Sequence, residues 1–407
     1  MASVLRRSSR PVLAASASVW RSTRLSRAGL RTSAAAAGAH RSTGLIYHEH
    51  GAPGAVLRSH SWQLPAVQKD EAVVRMVLSS VNPADINVLE GVYPSVPKPR
   101  ELPGIDSPVR VGGNEGVGEI VELGSGDAAG LKVGDWVTFG RPQMGTWCSR
   151  MVAPTADLIP VPADARAKLD EVMASTLMIN PATALCMLRD IEKLEKGDVV
   201  VQNAANSAVG QAVVQIAARK LGVETINFVR DRFRSKDLDA LRADFAQWGE
   251  GGPGTHVFTY EELADRNSGA KEAIKKLLNG RKIKLGLNAL CGKDTRNMVK
   301  LLGPSASVVT YGAMSRSPLE LPASLLIFND LRAVGFWMTT WYARHSRAER
   351  MRLMAELAHW YAEGALRPPA SRIVRLGEDR PLEEAGKVID ETMAGSQGVK
   401  TFLKFPQ

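Results

Sequence analysis

Residues 199–229 constrain the fold of this 407-residue chain more than any other stretch. Val199-Val200-Val201 is a short, β-branched apolar run and predicts a buried strand. A loop of small residues, Asn203–Gly210, follows it. Gln211–Leu221 then reads as a helix, with Val214, Ala217, Ala218 and Leu221 on one face and Gly222 to end it. Thr225–Val229 predicts a second strand. Two strands joined through a helix run parallel, which commits the region to a doubly wound α/β sheet. His256–Tyr260, Leu285–Leu290, Ser307–Tyr311 and Ala333–Trp337 extend the series to six strands, with helices predicted at Gly269–Leu278 and Thr295–Leu302. Asp244–Gly254 and Arg266–Gly269 read as surface loops.

The region ahead of this sheet has a different pattern. Residues 44–155 carry short apolar or alternating runs, Ala72–Leu78, Gly118–Leu123 and Trp136–Phe139, separated by Gly and Pro clusters. Many short strands between turn signals predict a barrel-like β domain. Ala165–Ile179 reads as a helix, and Pro181 opens another through about Glu195. After the sheet, Ala343–Glu363 predicts one long helix, and Phe402–Phe405 a strand that closes back on the first domain. The length suits two domains.

The formal net charge of +10 is unevenly distributed. Residues 1–48 contain eight Arg and no acid, and removing those eight leaves +2 for the rest. The excess therefore belongs to an Arg-, Ser- and Ala-rich leader of the kind that targets mitochondria. The near-neutral remainder lacks the basic footprint of a nucleic-acid-binding protein. No run approaches the roughly 18 apolar residues of a membrane span. Cys148, Cys186 and Cys291 are widely spaced and form no CxxC or Cys/His cluster, which predicts neither a disulfide framework nor a structural zinc site.

The loop Asn203-Ala204-Ala205-Asn206-Ser207-Ala208-Val209-Gly210 departs from GxGxxG, having Ala205 and Ser207 at the first two glycine positions. Its small residues still allow a pyrophosphate to approach the backbone at a helix N-terminus, so the strand–loop–helix context predicts dinucleotide binding. The second strand ends in Arg230-Asp231-Arg232, with Arg230 20 residues after Gly210. An NAD site would place an acid at this strand end. The two arginines favour the 2′-phosphate of NADP, with Asp231 between them as a mixed signal.

Asn82-Pro83-Ala84-Asp85-Ile86-Asn87, Gly91-Val92-Tyr93-Pro94, Gly112–Gly118, Asn203–Gly210 and Arg230–Arg232 occur together and in order. In that combination residues 44–407 resemble the medium-chain dehydrogenase/reductase superfamily, and within it the zinc-free mitochondrial trans-2-enoyl-CoA/ACP reductases. The resemblance implies a transit peptide at 1–43 and a GroES-like β-barrel catalytic domain at 44–180, completed by 343–407. It implies a Rossmann NADPH-binding domain at 181–342 and a mitochondrial matrix location. Hydride would pass from NADPH to the β-carbon of an enoyl-CoA or enoyl-acyl-carrier-protein substrate. Tyr93 would be catalytic, either hydrogen-bonding the thioester oxygen or relaying the α-proton. Asn180 would contact the nicotinamide side, and Asn206, Ser207, Ala208 and Val209 the pyrophosphate. Arg230, Asp231 and Arg232 would bind the adenosine phosphate end. Tyr311, Gly312, Ala313 and Met314, with Phe336, Trp337 and Met338, would line the nicotinamide and acyl pocket, and Lys400 would reach back to the cofactor.

Ala208 and Ala313 stand where the family usually has Gly. Gly113-Asn114-Glu115 replaces the Gly-His-Glu of the zinc alcohol dehydrogenases, so no metal is expected. The resemblance also implies a homodimer paired through the last sheet strand. An NADPH quinone reductase and a non-enzymatic binding protein on the same fold are the competing readings.

Overall fold

A computed structural model describes residues 37–231, 235–395 and 399–407; Arg232 and residues 1–36 of the expected leader lie outside the described residues. The strands in chain order are β1 (Ala37–Tyr47), β2 (Arg58–Pro65), β3 (Glu71–Ser80), β4 (Arg110–Val111), β5 (Gly116–Leu123), β6 (Trp136–Phe139), β7 (Arg150–Pro154) and β8 (Leu158–Pro160). Then come β9 (Val199–Gln202), β10 (Glu224–Val229), β11 (Thr255–Thr259), β12 (Ile283–Asn288), β13 (Leu302–Thr310) and β14 (Arg332–Gly335), and finally β15 (Ser371–Arg375) and β16 (Lys400–Lys404).

β9 to β14 form one six-stranded sheet in the order β11-β10-β9-β12-β13-β14, all parallel. This is the doubly wound order with its switch point between β9 and β12, where such sheets bind ligands beyond the strand C-termini. Every residue of β9 and β10 is buried, as expected for strands with helices on both faces. The helix after β9 is Ala208–Ile216; a π-turn, Ala217–Leu221, extends it, and Gly222 ends it at φ +64°.

The remaining strands make a three-stranded sheet, β2-β1-β4, and a seven-stranded sheet, β15-β16-β3-β5-β6-β8, with β7 on β3. The C-terminal strand β16 pairs antiparallel with β3, Phe402 opposite Ser80 and Leu403 opposite Ser79, so the tail closes onto the first half as its hydrophobicity suggested. β1 begins at Ala37, paired with Pro65, and draws residues 37–43 of the expected leader into a sheet. The largest core runs through both halves, linking Leu78, Val117 and Phe402 to Leu185, Val213 and Leu287.

Several expected elements are redrawn. The helix expected over Ala343–Glu363 is two, Met338–Arg344 and Arg347–Ala362. Ser346 and Glu349 form a capping box that satisfies the N–H groups of the second and starts it afresh. The helix expected over Ala165–Ile179 is likewise divided into Ala163–Arg166 and Glu171–Thr176, because the Asp170 side chain caps the latter by accepting from Met173 N. The helix opened by Pro181 stops at Asp190. Asp244–Trp248, read as loop, completes the helix Ser235–Trp248. The last sheet strand ends at Gly335, two residues before Trp337, which instead stands at the N-cap of Met338–Arg344.

Candidate active site

Gly210 explains why the loop after β9 tolerates losing two glycines but not the third. A Cβ at Gly210 would collide with the backbone of Ala205, so only glycine lets the helix pack against the loop. The Ser207 hydroxyl caps that helix by accepting from Gly210 N at 3.2 Å. Asn206, Ser207, Ala208 and Val209 are half-buried at the helix start, where free N–H groups and the helix dipole favour a phosphate. The loop turns at Ala204, φ +50°. Tyr260 secures that turn: its hydroxyl accepts from Ala204 N at 2.7 Å and donates to Phe228 O at 3.0 Å. Nothing in the sequence near Tyr260 announces this role, since it depends on β11 lying beside β10.

Arg230 and Asp231 are exposed just beyond β10, and Asp231 N donates to Glu261 Oε2 at 3.2 Å. Arg230 is thus free to meet an anion at the strand end; Arg232 lies outside the described residues.

The expected substrate-side residues converge from both halves. Asn82 caps a short helix, Pro83–Leu89, and the chain then turns through Gly91 at φ +76° to present Tyr93. Trp337 Nε1 donates to the Tyr93 hydroxyl at 2.8 Å, and the two rings meet edge to face, 5.9 Å apart. Burial raises the Tyr93 pKa; the Trp337 hydrogen bond opposes this and the Asp85 charge adds to it. The phenol is therefore kept as a neutral donor. Phe336 is held to β13 through Thr310 O, and Met338 is buried. Tyr311 and Met314 are fixed to the end of β12 by hydrogen bonds from their N–H groups to Asn288 O and Ala289 O, both 2.9 Å. Gly312 is half-buried, while Ala313 and Met314 are exposed. The Tyr311 hydroxyl is buried near Ser207 without a well-formed hydrogen bond, and burial raises its pKa.

Lys400 occupies a buried polar cluster that the sequence did not single out. Its Nζ donates to Asn82 Oδ1 at 2.6 Å and lies 3.7 Å from Glu115 Oε2. Asn82 Nδ2 donates to the same Oε2 at 2.8 Å, and Asn82 N to Asp85 Oδ2 at 2.8 Å. Burial pushes the Asp85 carboxyl up to about 7 and raises Glu115 too. It pulls Lys400 down, against the opposing pull of Glu115 and Asp85. Asn180 is buried beside this region, and its Nδ2 has no partner among the described residues. Asn82, Asp85 and Glu115 all fall in the motifs already noted, but their convergence on Lys400 needs β16 to return beside β3.

These features suit a dinucleotide: a glycine-tight phosphate loop, an arginine at the adenosine end, and an unpaired buried amide donor at the other.

Two family models match, the alcohol dehydrogenase GroES-like domain over residues 68–163 and the zinc-binding dehydrogenase over 208–356. The donors here do not fit zinc. Asn114 Oδ1 accepts from Gln143 N at 2.6 Å, Cys148 Sγ is buried against Gly145 O, and the Glu115 carboxylate faces an ammonium. Among the described residues no three His, Cys, Asp or Glu side chains converge. Human mitochondrial enoyl-acyl-carrier-protein reductase is 40% identical over 342 residues, 84% of this chain and 84% of that protein. The complex of Etr1p with NADP and crotonyl-CoA superposes with a TM-score of 0.81 at 29% identity, covering 90% of this chain and all of that one. The mitochondrial 2-enoyl thioester reductase Etr1p/Etr2p heterodimer from Candida tropicalis gives 0.81 at 28% identity, with the same coverage. Sequence and fold thus agree, and the chain belongs to the mitochondrial enoyl-acyl-carrier-protein reductases of the medium-chain dehydrogenase/reductase superfamily.

Proposed function

We propose that this chain reduces trans-2-enoyl thioesters to saturated acyl thioesters with NADPH in the mitochondrial matrix. The observation that carries the reading is Tyr93. A neutral phenol from the catalytic half is held at 2.8 Å by the Trp337 indole of the nucleotide half, at the seam where a cofactor and a substrate would meet. Bound NADPH supplies the hydride for the β-carbon. The residues proposed to hold it are Asn180, Asn206–Val209, Arg230, Asp231, Arg232, Tyr311–Met314, Phe336–Met338 and Lys400. The Tyr93 hydroxyl hydrogen-bonds the thioester oxygen as enolate charge develops or delivers the proton to the α-carbon, so that C=C becomes a saturated bond. The neutral state favoured by its burial serves either role. The Etr1p complex contains NADP and an enoyl thioester, which supports the same pair of ligands here.

The test is oxidation of NADPH, followed at 340 nm, on adding trans-2-hexenoyl-CoA, with NADH and a quinone as controls. Turnover with the enoyl thioester and NADPH is expected; consumption with the quinone alone would overturn the proposal.

We take the leader to end ahead of Ala37, since a cut at 43 would remove four of the seven partner pairs between β1 and β2. The catalytic domain then comprises the chain up to about 180 with 343–407, and the cofactor domain 181–342. A homodimer is proposed through β14. This strand closes one side of the six-stranded sheet, and Leu326, Ile327 and Phe328 just ahead of it are 42%, 69% and 80% exposed. An open edge beside apolar side chains favours pairing with a second copy. The Etr1p/Etr2p heterodimer is a paired relative. Light scattering at micromolar concentration should give the dimer mass; a monomer would refute the pairing.

A further inference from the structure

We propose that Glu115 is a positioning residue for the nicotinamide half of the cofactor site, its one carboxylate fixing both the peptide that presents Asn180 and the ammonium of Lys400. The inference rests on the reading of Asn180 and Lys400 as cofactor contacts.

Three segments remote in sequence meet on this side chain. Oε1 accepts from Ile179 N at 2.9 Å, immediately before Asn180. Oε2 accepts from Asn82 Nδ2 at 2.8 Å and pairs with Lys400 Nζ at 3.7 Å. Lys400 also donates to Asn82 Oδ1 at 2.6 Å, so the carboxylate, the amide and the ammonium form a closed triangle. The backbone of Glu115 is pinned in turn, its carbonyl accepting from Ser80 N at 3.0 Å and Thr146 Oγ1 at 3.1 Å.

This arrangement does more than fill a core. A buried ion pair is seldom more stabilising than apolar side chains of the same volume, so its presence calls for a role in specifying geometry. The helix Asn180–Asp190 has Ile179 at its N-cap, which offers no side-chain cap. Glu115, immediately ahead of β5, satisfies that N–H and places negative charge at the positive end of the helix. The orientation of Asn180 is thereby set by a side chain 64 residues away from Ile179. Its buried Nδ2, unpartnered among the described residues, is a donor left for a ligand acceptor. Lys400 has three N–H donors; Asn82 takes one, and the ion pair with Glu115 holds the ammonium without using all of the rest.

The test compares Glu115→Gln, Lys400→Met and the double variant, in the folded protein, by NADPH fluorescence titration and steady-state kinetics. Glu115→Gln keeps the shape and removes the charge. It should raise the NADPH Kd and KM about ten- to a hundredfold, the range of one charge-assisted hydrogen bond. The KM for the enoyl thioester and kcat at saturating NADPH should change far less, a split that a general loss of folding would not produce. Combined with Lys400→Met, the losses should be less than additive. Glu115→Asp keeps the charge but is one methylene short of bridging Ile179 and Lys400; it should show the same loss and serves if the Gln variant does not fold. Wild-type NADPH affinity in a folded Glu115 variant, with Lys400→Met impaired, would overturn the role of Glu115 while leaving that of Lys400 intact. Wild-type affinity in Lys400→Met as well would overturn both, and fully additive losses would overturn the coupling.

Discussion

Replacing Tyr260 with Phe removes one oxygen and should loosen the phosphate loop. The ring is buried and lies 6.3 Å from the Phe228 ring, in a contact that Phe preserves, so the hydroxyl alone is tested. That hydroxyl makes two hydrogen bonds, but their losses are unequal. Phe228 O keeps a second partner, Ala205 N at 3.2 Å, whereas Ala204 N loses its only acceptor among the described residues. One orphaned N–H costs about 1–3 kcal/mol. At an unfolding entropy of about 2 cal/mol/K per residue, a loss near the middle of that range lowers the thermal midpoint by about 2–3 °C. The loop can instead relax until Ala204 N meets water. Binding must then reverse the relaxation, weakening NADPH by about 5- to 150-fold. Differential scanning calorimetry and fluorescence titration with NADPH measure the two effects. If the variant matches the wild type in both midpoint and Kd, the Tyr260 hydroxyl does not hold the loop and the argument fails.

Tyr93→Phe should lower kcat with an enoyl thioester by about a hundredfold or more while NADPH affinity stays unchanged; parallel losses in both would show that Tyr93 serves binding instead. Arg230→Glu should reduce kcat/KM for NADPH by about ten- to a hundredfold and leave NADH turnover at least as high, and an unaltered NADPH/NADH ratio in steady-state kinetics would place the 2′-phosphate elsewhere. The carboxyl of Asp85 is raised from 3.8 to about 7, so its contribution to stability is greatest below pH 4 and is lost as pH rises towards 7. Asp85→Asn, which mimics the neutral acid, should therefore gain stability relative to the wild type as pH rises from 4 to 7, with no further gain above it; a difference that is flat with pH in denaturant titrations would contradict a raised pKa.

The division between what was legible in the chain and what was not follows the range of the forces involved. The central strands β9 and β10 were readable because burial on both faces demands continuous apolar runs, as in Val199–Val201, and the rest of the series because crossovers demand helices between parallel strands. Gly210 and Gly222 were readable as punctuation, the first by the steric closeness of loop and helix, the second by its positive φ. The errors lay where a local polar device overrode periodicity. The Ser346–Glu349 box cut a long apolar pattern into two helices, and Asp170 did the same near 170. The motif residues Tyr93, Asn206–Val209 and Arg230 could be nominated because their chemistry is local: a phenol after a turn, small residues at a helix start, a cation at a strand end. Tyr260, Glu115 and the burial of Lys400 could not. Their partners lie 56, 64 and 318 residues away, and only the neighbouring of β10 with β11, of the start of β5 with the helix Asn180–Asp190, and of β16 with β3 brings them into range. Hydrogen bonds and ion pairs act over a few ångströms. The sequence alone nominated side chains for binding a dinucleotide and reducing an enoyl thioester; the tertiary structure decided which buried polar groups lie against them.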